Sequence, residues 1–128
     1  MGNPLLIVED DPALSLMLSK VLELDGYDVT VVDHGRKALS ALNDADFVAV
    51  VLDIMLPGVD GISILRTIRE DPVMWSIPVV ILTAKADDLT TWEGWKAGCD
   101  YYMTKPFDPA ELAAILQRLR VERMVRKG

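Results

Sequence analysis

Four short segments of this chain carry side chains that can act together. Glu9, Asp10 and Asp11 follow the apolar run Leu5–Val8, and Asp53 follows Phe47–Leu52. Thr83 follows Pro78–Leu82, and Lys105 comes just after Tyr101–Met103. Carboxylates crowded together repel one another and raise each other's pKa unless a cation is present. A donor set of oxygens alone, with coordination left incomplete, suits Mg²⁺. A carboxylate beside such a cation can attack phosphorus and become an aspartyl phosphate. The transferring phosphoryl group has three equatorial oxygens that need countercharge, and the Lys105 ammonium and Thr83 hydroxyl can supply two of those contacts. Plainer roles compete at some positions. Asp11 precedes Pro12, as a helix N-cap does. Thr83 alone is equally a strand-end residue. Lys105 alone is equally a solvated surface lysine, but the Pro106 that follows restricts the backbone that aims it. Asp10 and Asp53 have no proline-first helix directly after them, and burying both without a cation would be costly.

The elements that position these groups can be read from periodicity. Leu5–Val8 reads as a buried strand, and Pro12 opens a helix with Leu14, Leu18, Val21 and Leu22 at helical spacing and Gly26 as its C-cap. Val29–Val32 reads as a second strand, and residues 35–43 as a short helix with Ala38, Leu39 and Leu42 on its apolar side. Phe47–Leu52 is an unbroken, valine-rich run, which predicts a central strand covered on both faces. Leu56–Gly61 has turn chemistry, and a helix follows from Ile62 to about Arg69 with Ile64, Leu65 and Ile68 inward. Pro78–Leu82 is a fourth strand, residues 87–97 a helix weakened by Gly94 and ended by Gly98, and Tyr101–Met103 a short fifth strand. Asp108-Pro109-Ala110-Glu111 opens the last helix, which runs through Leu112, Ile115, Leu116 and Leu119. Strands alternating with helices imply an α/β fold with a parallel sheet covered on both faces, and such sheets bind ligands at the carboxyl ends of their strands.

Composition narrows the remaining classes. The chain has 128 residues, 51% hydrophobic and 26% charged, enough for a core of its own. Its net charge is −7, which disfavours direct binding of nucleic acid. The excess lies in residues 1–64, which carry eleven acids and three bases. One cysteine, Cys99, and one histidine, His34, exclude an internal disulfide, a cysteine zinc cluster and a histidine-rich metal site. No apolar run approaches the roughly 18 residues of a membrane span, and the N-terminus lacks the features of a secretory signal. A soluble domain of a reducing compartment is expected.

Four segments taken together resemble the receiver domain of two-component response regulators. They are Leu6-Ile7-Val8-Glu9-Asp10-Asp11-Pro12, Leu52-Asp53-Ile54-Met55-Leu56-Pro57-Gly58-Val59-Asp60-Gly61, Ile81-Leu82-Thr83-Ala84-Lys85 and Tyr102-Met103-Thr104-Lys105-Pro106-Phe107. The resemblance implies a flavodoxin-like, doubly wound five-stranded parallel sheet of order 2-1-3-4-5 flanked by five helices, and a cytoplasmic location. It implies that Asp53 accepts a phosphoryl group from a phosphohistidine on a sensor kinase or phosphotransfer protein. Glu9, Asp10 and Asp53 would hold Mg²⁺, with the Met55 carbonyl as a further ligand. Lys105 would pair with the phosphoryl group, Thr83 would move toward it, and Tyr102 would be an aromatic rotamer switch. The face around the fourth helix, fifth strand and fifth helix would be the output surface, and a homodimer through it is a further expectation. Where the winged-helix subclass carries an acid and an arginine that pair two receivers, this sequence has Tyr101 and Ile115, and its fourth helix carries Trp92 and Trp95. Residues 1–120 are expected to form the receiver. Residues 121–128, within a basic tail of Arg118, Arg120, Arg123, Arg126 and Lys127, are expected to end the last helix or begin a linker to an output domain. Two other readings compete: a degenerate receiver that only binds protein, and a Mg²⁺-dependent phosphatase. The second is opposed by Met55, which stands where that class needs an acid.

Overall fold

A computed structural model describes the backbone of residues 2–127 and the side chains of residues 2–125. Five strands and five helices alternate: β1 (Asn3–Val8), α1 (Pro12–Leu24), β2 (Tyr27–Val32), α2 (Gly35–Asp44), β3 (Ala49–Leu52), α3 (Gly61–Glu70), β4 (Val79–Thr83), α4 (Asp88–Ala97), β5 (Tyr101–Thr104) and α5 (Pro109–Lys127). The sheet is parallel throughout, in the order β2-β1-β3-β4-β5. Residues alternate between its two faces. Leu6, Val8, Val50, Leu52 and Ile81 pack under α2 and α3 against Ala38, Leu42, Ile64, Leu65 and Ile68. Leu5, Ile7, Val51, Val80 and Leu82 pack under α1 and α5 against Leu18, Leu22, Leu112, Leu116 and Leu119. All four residues of β3 are buried, as an unbroken apolar run requires.

Several boundaries differ from the periodicity, for local reasons. β3 begins at Ala49, leaving Phe47 and Val48 as a lead-in, because its pairing with β1 starts at Leu5–Ala49. β4 begins at Val79 because Pro78 has no N–H to give a neighbour. β5 extends to Thr104, which pairs with Thr83. The C-cap of α1 is Asp25, and Gly26 follows it at φ 95°. Asp11 does cap α1, accepting from the N–H groups of Ala13 and Leu14. α5 continues without a break beyond residue 120. Of its basic residues, Arg120 lies over the Tyr27 ring and donates to Asn3 Oδ1, while Arg123 donates to Ser76 Oγ. The Arg126 and Lys127 side chains, and Gly128, lie outside what the structure describes. Trp92 and Trp95 are exposed on α4, whereas Ile115 lies on the buried side of α5, within the core, and cannot take part in a surface pair. Among the described residues no helix is long and apolar enough to cross a membrane.

Candidate functional site

The backbone places Glu9, Asp53 and Lys105 one residue past their strands while still holding them to the sheet, and Thr83 is the last residue of β4. Glu9 N donates to the Val32 carbonyl at 3.0 Å, Asp53 N to Val8 O at 3.0 Å, and Lys105 N to Thr83 O at 2.9 Å. These bonds tie β1 to β2, β3 to β1 and β5 to β4 at the carboxyl edge of the sheet, where the side chains of Glu9, Asp53 and Lys105 meet. Carboxylate oxygens of Glu9, Asp10 and Asp53 lie within 4.8 Å of one another. Lys105 Nζ bridges two of them, 2.7 Å from Glu9 Oε1 and 2.9 Å from Asp53 Oδ2. The other oxygen of Asp53 accepts from the Met55 N–H at 2.9 Å, and Glu9 Oε2 accepts from the Asp11 N–H at 3.1 Å.

Burial is unequal within this cluster. Glu9 and Asp53 are buried, but Asp10 is exposed. The cost of burying Asp10 and Asp53 together does not arise: Asp10 sits at the start of the loop into α1, on the solvent side, and Glu9 takes the inner place beside Asp53. The electrostatics follow from one ammonium serving two buried carboxylates. Burial pushes the Glu9 carboxyl up, the Lys105 and Asp11 donors pull it back, and it remains above its ordinary 4.5 with the Asp53 charge nearby. Burial pulls the Lys105 ammonium down, but hydrogen bonds and charge from Glu9 and Asp53 outweigh this and hold it above its ordinary 10.5. The Lys105 shift thus reports the two carboxylates beside it, and the Glu9 shift reports burial first. Hard oxygen donors at this spacing fit a divalent cation such as Mg²⁺.

Thr83 is fully buried at the end of β4, with its hydroxyl accepting from Lys85 N at 3.3 Å. Tyr102 is half-buried, and its hydroxyl donates to the Lys85 carbonyl at 2.6 Å. The peptide between Lys85 and its neighbours is thus linked to Thr83 on one side and Tyr102 on the other. The Lys105–Pro106 peptide is cis.

Two features were not foreseen. The first is the tie between Tyr102 and the Lys85 carbonyl, which has no sequence signal because a backbone oxygen is the acceptor. The second is Arg69, in the last turn of α3. It donates to the carbonyls of Gly98, Trp75 and Ile77 and to Asp100 Oδ2. Asp100 Oδ2 also accepts from Val79 N. This network joins α3, the lead into β4 and the turn after α4. Gly98, in that turn, has φ 103° and caps α4.

Comparison with known proteins places this geometry among others. A family model for the response regulator receiver domain matches residues 5–117. The DNA-binding response regulator MtrA of Mycolicibacterium smegmatis is 42% identical over 121 residues, 94% of this chain and 52% of that protein. The chain thus spans about half the length of the curated relatives it matches. A response regulator receiver domain protein of Methanospirillum hungatei JF-1, described as CheY-like, superposes with a TM-score of 0.91 at 25% identity, covering 98% of both chains. The receiver domain of the sensor histidine kinase PA1611 of Pseudomonas aeruginosa PAO1 has a TM-score of 0.86 at 35% identity, over 94% of this chain and 99% of that one. In that protein a magnesium ion is coordinated in the active-site cleft.

Proposed function

The chain belongs to the response regulator receiver domain family of two-component systems, and from that premise we propose that Asp53 is its phosphoacceptor. The observation that carries this reading is the state of the Asp53 carboxylate. It is buried at the end of a central strand, oriented by the Met55 N–H through one oxygen and paired with Lys105 through the other. An oxygen of that carboxylate attacks the phosphorus of a phosphohistidine, an acyl phosphate bond forms, and the P–N bond breaks with its electron pair going to the imidazole nitrogen. The donor is a sensor histidine kinase or phosphotransfer protein.

The residues around Asp53 have separable roles. Lys105 transfers its contact from the Asp53 oxygen to an oxygen of the arriving phosphoryl group, so its charge stays compensated. Glu9, Asp10, Asp53 and the Met55 carbonyl would hold Mg²⁺, which when bound offsets the charge shared by the carboxylates and the phosphoryl oxygens. The Thr83 hydroxyl turns from its contact with Lys85 N to donate to the phosphoryl group. The ring of Tyr102 fills the space that Thr83 vacates. The changed face of α4, β5 and α5 is the output surface, and a second copy of the domain is a candidate occupant of it. Such a contact would be more apolar than a charged one, because Leu89, Trp92 and Trp95 are exposed there. The domain is a signalling switch that promotes only its own phosphorylation and dephosphorylation. We place it in the cytoplasm on the strength of the family. The alternative of a receiver that only binds protein is opposed by the complete set of Glu9, Asp10, Asp53, Thr83 and Lys105 around one site.

Beryllium fluoride, a phosphoryl mimic, tests the reading. Added with Mg²⁺, it is expected to perturb the amide resonances of Asp53, Thr83 and Tyr102 in the wild type and to leave Asp53→Asn unchanged. An equal response in both proteins, or none in the wild type, contradicts it.

A further inference from the structure

β2 sends no side chain into the carboxylate cluster, yet its end is bonded to it. The Val32 carbonyl accepts from Glu9 N, and the chain then turns through Asp33 and His34 into α2. His34, the one histidine of the chain, is half-buried and is the N-cap of that helix. Its Nδ1 accepts from Arg36 N at 3.1 Å, which fixes the direction of the ring. The ring lies against Gly58, in the loop that joins Asp53 to α3. A Cβ added at Gly58 would overlap it, nearest Cε1 and 2.5 Å from Nε2, and Gly58 has φ 86°. Gly35 meets the same loop on either side of that point. Its N–H donates to the Pro57 carbonyl at 3.3 Å, and a Cβ there would fall 2.5 Å from Val59 O. Pro57, Gly58 and Val59 are thus held in succession by His34 and Gly35.

We propose that His34 is a positioning residue for the Mg²⁺ site: its ring, seated on Gly58, holds the loop that presents the Met55 carbonyl. The inference rests on the reading of that carbonyl as a ligand. Leu56 and Val59 pack on the core, but Met55, Pro57 and Gly58 are exposed. Glycine loses more backbone freedom on ordering than any other residue, so an unrestrained Gly58 would let the segment beside it take many placements. Mg²⁺ demands near-ideal octahedral geometry with ligands at about 2.0–2.1 Å. A loop carbonyl that wanders by a fraction of an ångström is therefore a poor ligand for it. The amide side of Met55 is fixed within the cluster, by its bond to Asp53 Oδ1 at 2.9 Å. The direction of its carbonyl depends on the residues that follow, and His34 restrains those from outside the cluster. Capping of α2 is the competing reason for a side chain with an acceptor at position 34, and substitution separates the two. Asparagine is among the best N-caps. It keeps an acceptor near the place of Nδ1 and lacks Cε1 and Nε2, the ring atoms that lie against Gly58. Alanine has neither.

His34→Asn and His34→Ala are compared with the wild type in two measurements. The first is the Kd for Mg²⁺, followed through the amide resonances of Glu9 and Asp10. The second is hydrogen exchange of the Met55 amide in the metal-free protein. Both variants are expected to weaken Mg²⁺ about tenfold, as loss of a group that orients a ligand does. In His34→Asn the Met55 amide is expected to exchange several-fold faster while the amides of β3 keep their wild-type rates. Wild-type Mg²⁺ affinity in His34→Asn overturns the proposal, since the cap alone then suffices. Unchanged exchange at Met55 in that variant overturns it as well, because the ring then does not hold the loop. Should His34→Ala fold poorly, His34→Asn, which keeps the cap, decides alone. If the wild type binds no Mg²⁺, the reading of the metal site fails separately. The Met55 amide then decides the clamp, faster exchange in His34→Asn supporting it and an unchanged rate overturning it.

Discussion

Lys105 reports the charge balance of the site more directly than any other residue. Its folded-state pKa lies above 10.5, so the stability it contributes is complete below that pH and is lost as pH rises through the higher folded value. Urea unfolding of the metal-free protein is expected to show this loss above pH 10.5, and Lys105→Met is expected to lack it. An identical alkaline slope in both proteins would contradict the pairing with Glu9 and Asp53. Glu9 has the opposite consequence. Its pKa is raised, so its contribution is complete below 4.5 and is lost as pH rises, and its charged form is a cost at neutral pH. Glu9→Gln is therefore expected to raise the urea midpoint of the metal-free protein at pH 7; a lowered midpoint would contradict it. The identities of Glu9, Asp10, Asp53, Thr83 and Lys105 were legible because each follows an apolar run. Which carboxylates are inside was not legible. That depends on where the loop into α1 turns, and it leaves Asp10 in solvent and Glu9 against Lys105.

At the scale of elements, strands were readable where apolar runs were continuous, and their ends were set by pairing partners. Pro78 and the register of β1 with β3 trim the two central strands. α4 is the element least legible in sequence. Leu89, Trp92 and Trp95 face outward, and Gly94, which weakens the helix by propensity, is buried against the sheet. What fixes its C-terminal end is Arg69, whose guanidinium serves three carbonyls and Asp100. Removing that group leaves half-buried acceptors unsatisfied. Arg69→Met is expected to cost about 2–4 kcal/mol in urea unfolding with an unchanged m-value. A loss below about 0.5 kcal/mol would show that water replaces the guanidinium at little cost.

For the whole molecule, the −7 charge has a location as well as a size. Three of the eleven acids in residues 1–64 meet at one sheet edge, with a single ammonium among them. The topology could be read as an alternating α/β pattern from the sequence, whereas the strand order 2-1-3-4-5 came from the family resemblance and is the order found. An anionic pocket of this kind links metal binding to global stability. Mg²⁺ at ten times its Kd is expected to add about 1.4 kcal/mol. In a chain of this length that raises Tm by about 5 °C. Asp10→Asn is expected to reduce the increase, and an equal increase in both proteins would place the ion elsewhere. The most direct measurement of the central claim is phosphorylation itself. Incubated with acetyl phosphate and Mg²⁺, the wild type is expected to gain one phosphoryl group, labile to hydroxylamine and mapped to the peptide containing Asp53, and Asp53→Asn is expected to gain none. A label that persists in Asp53→Asn, or a wild type that takes up none, would contradict the account.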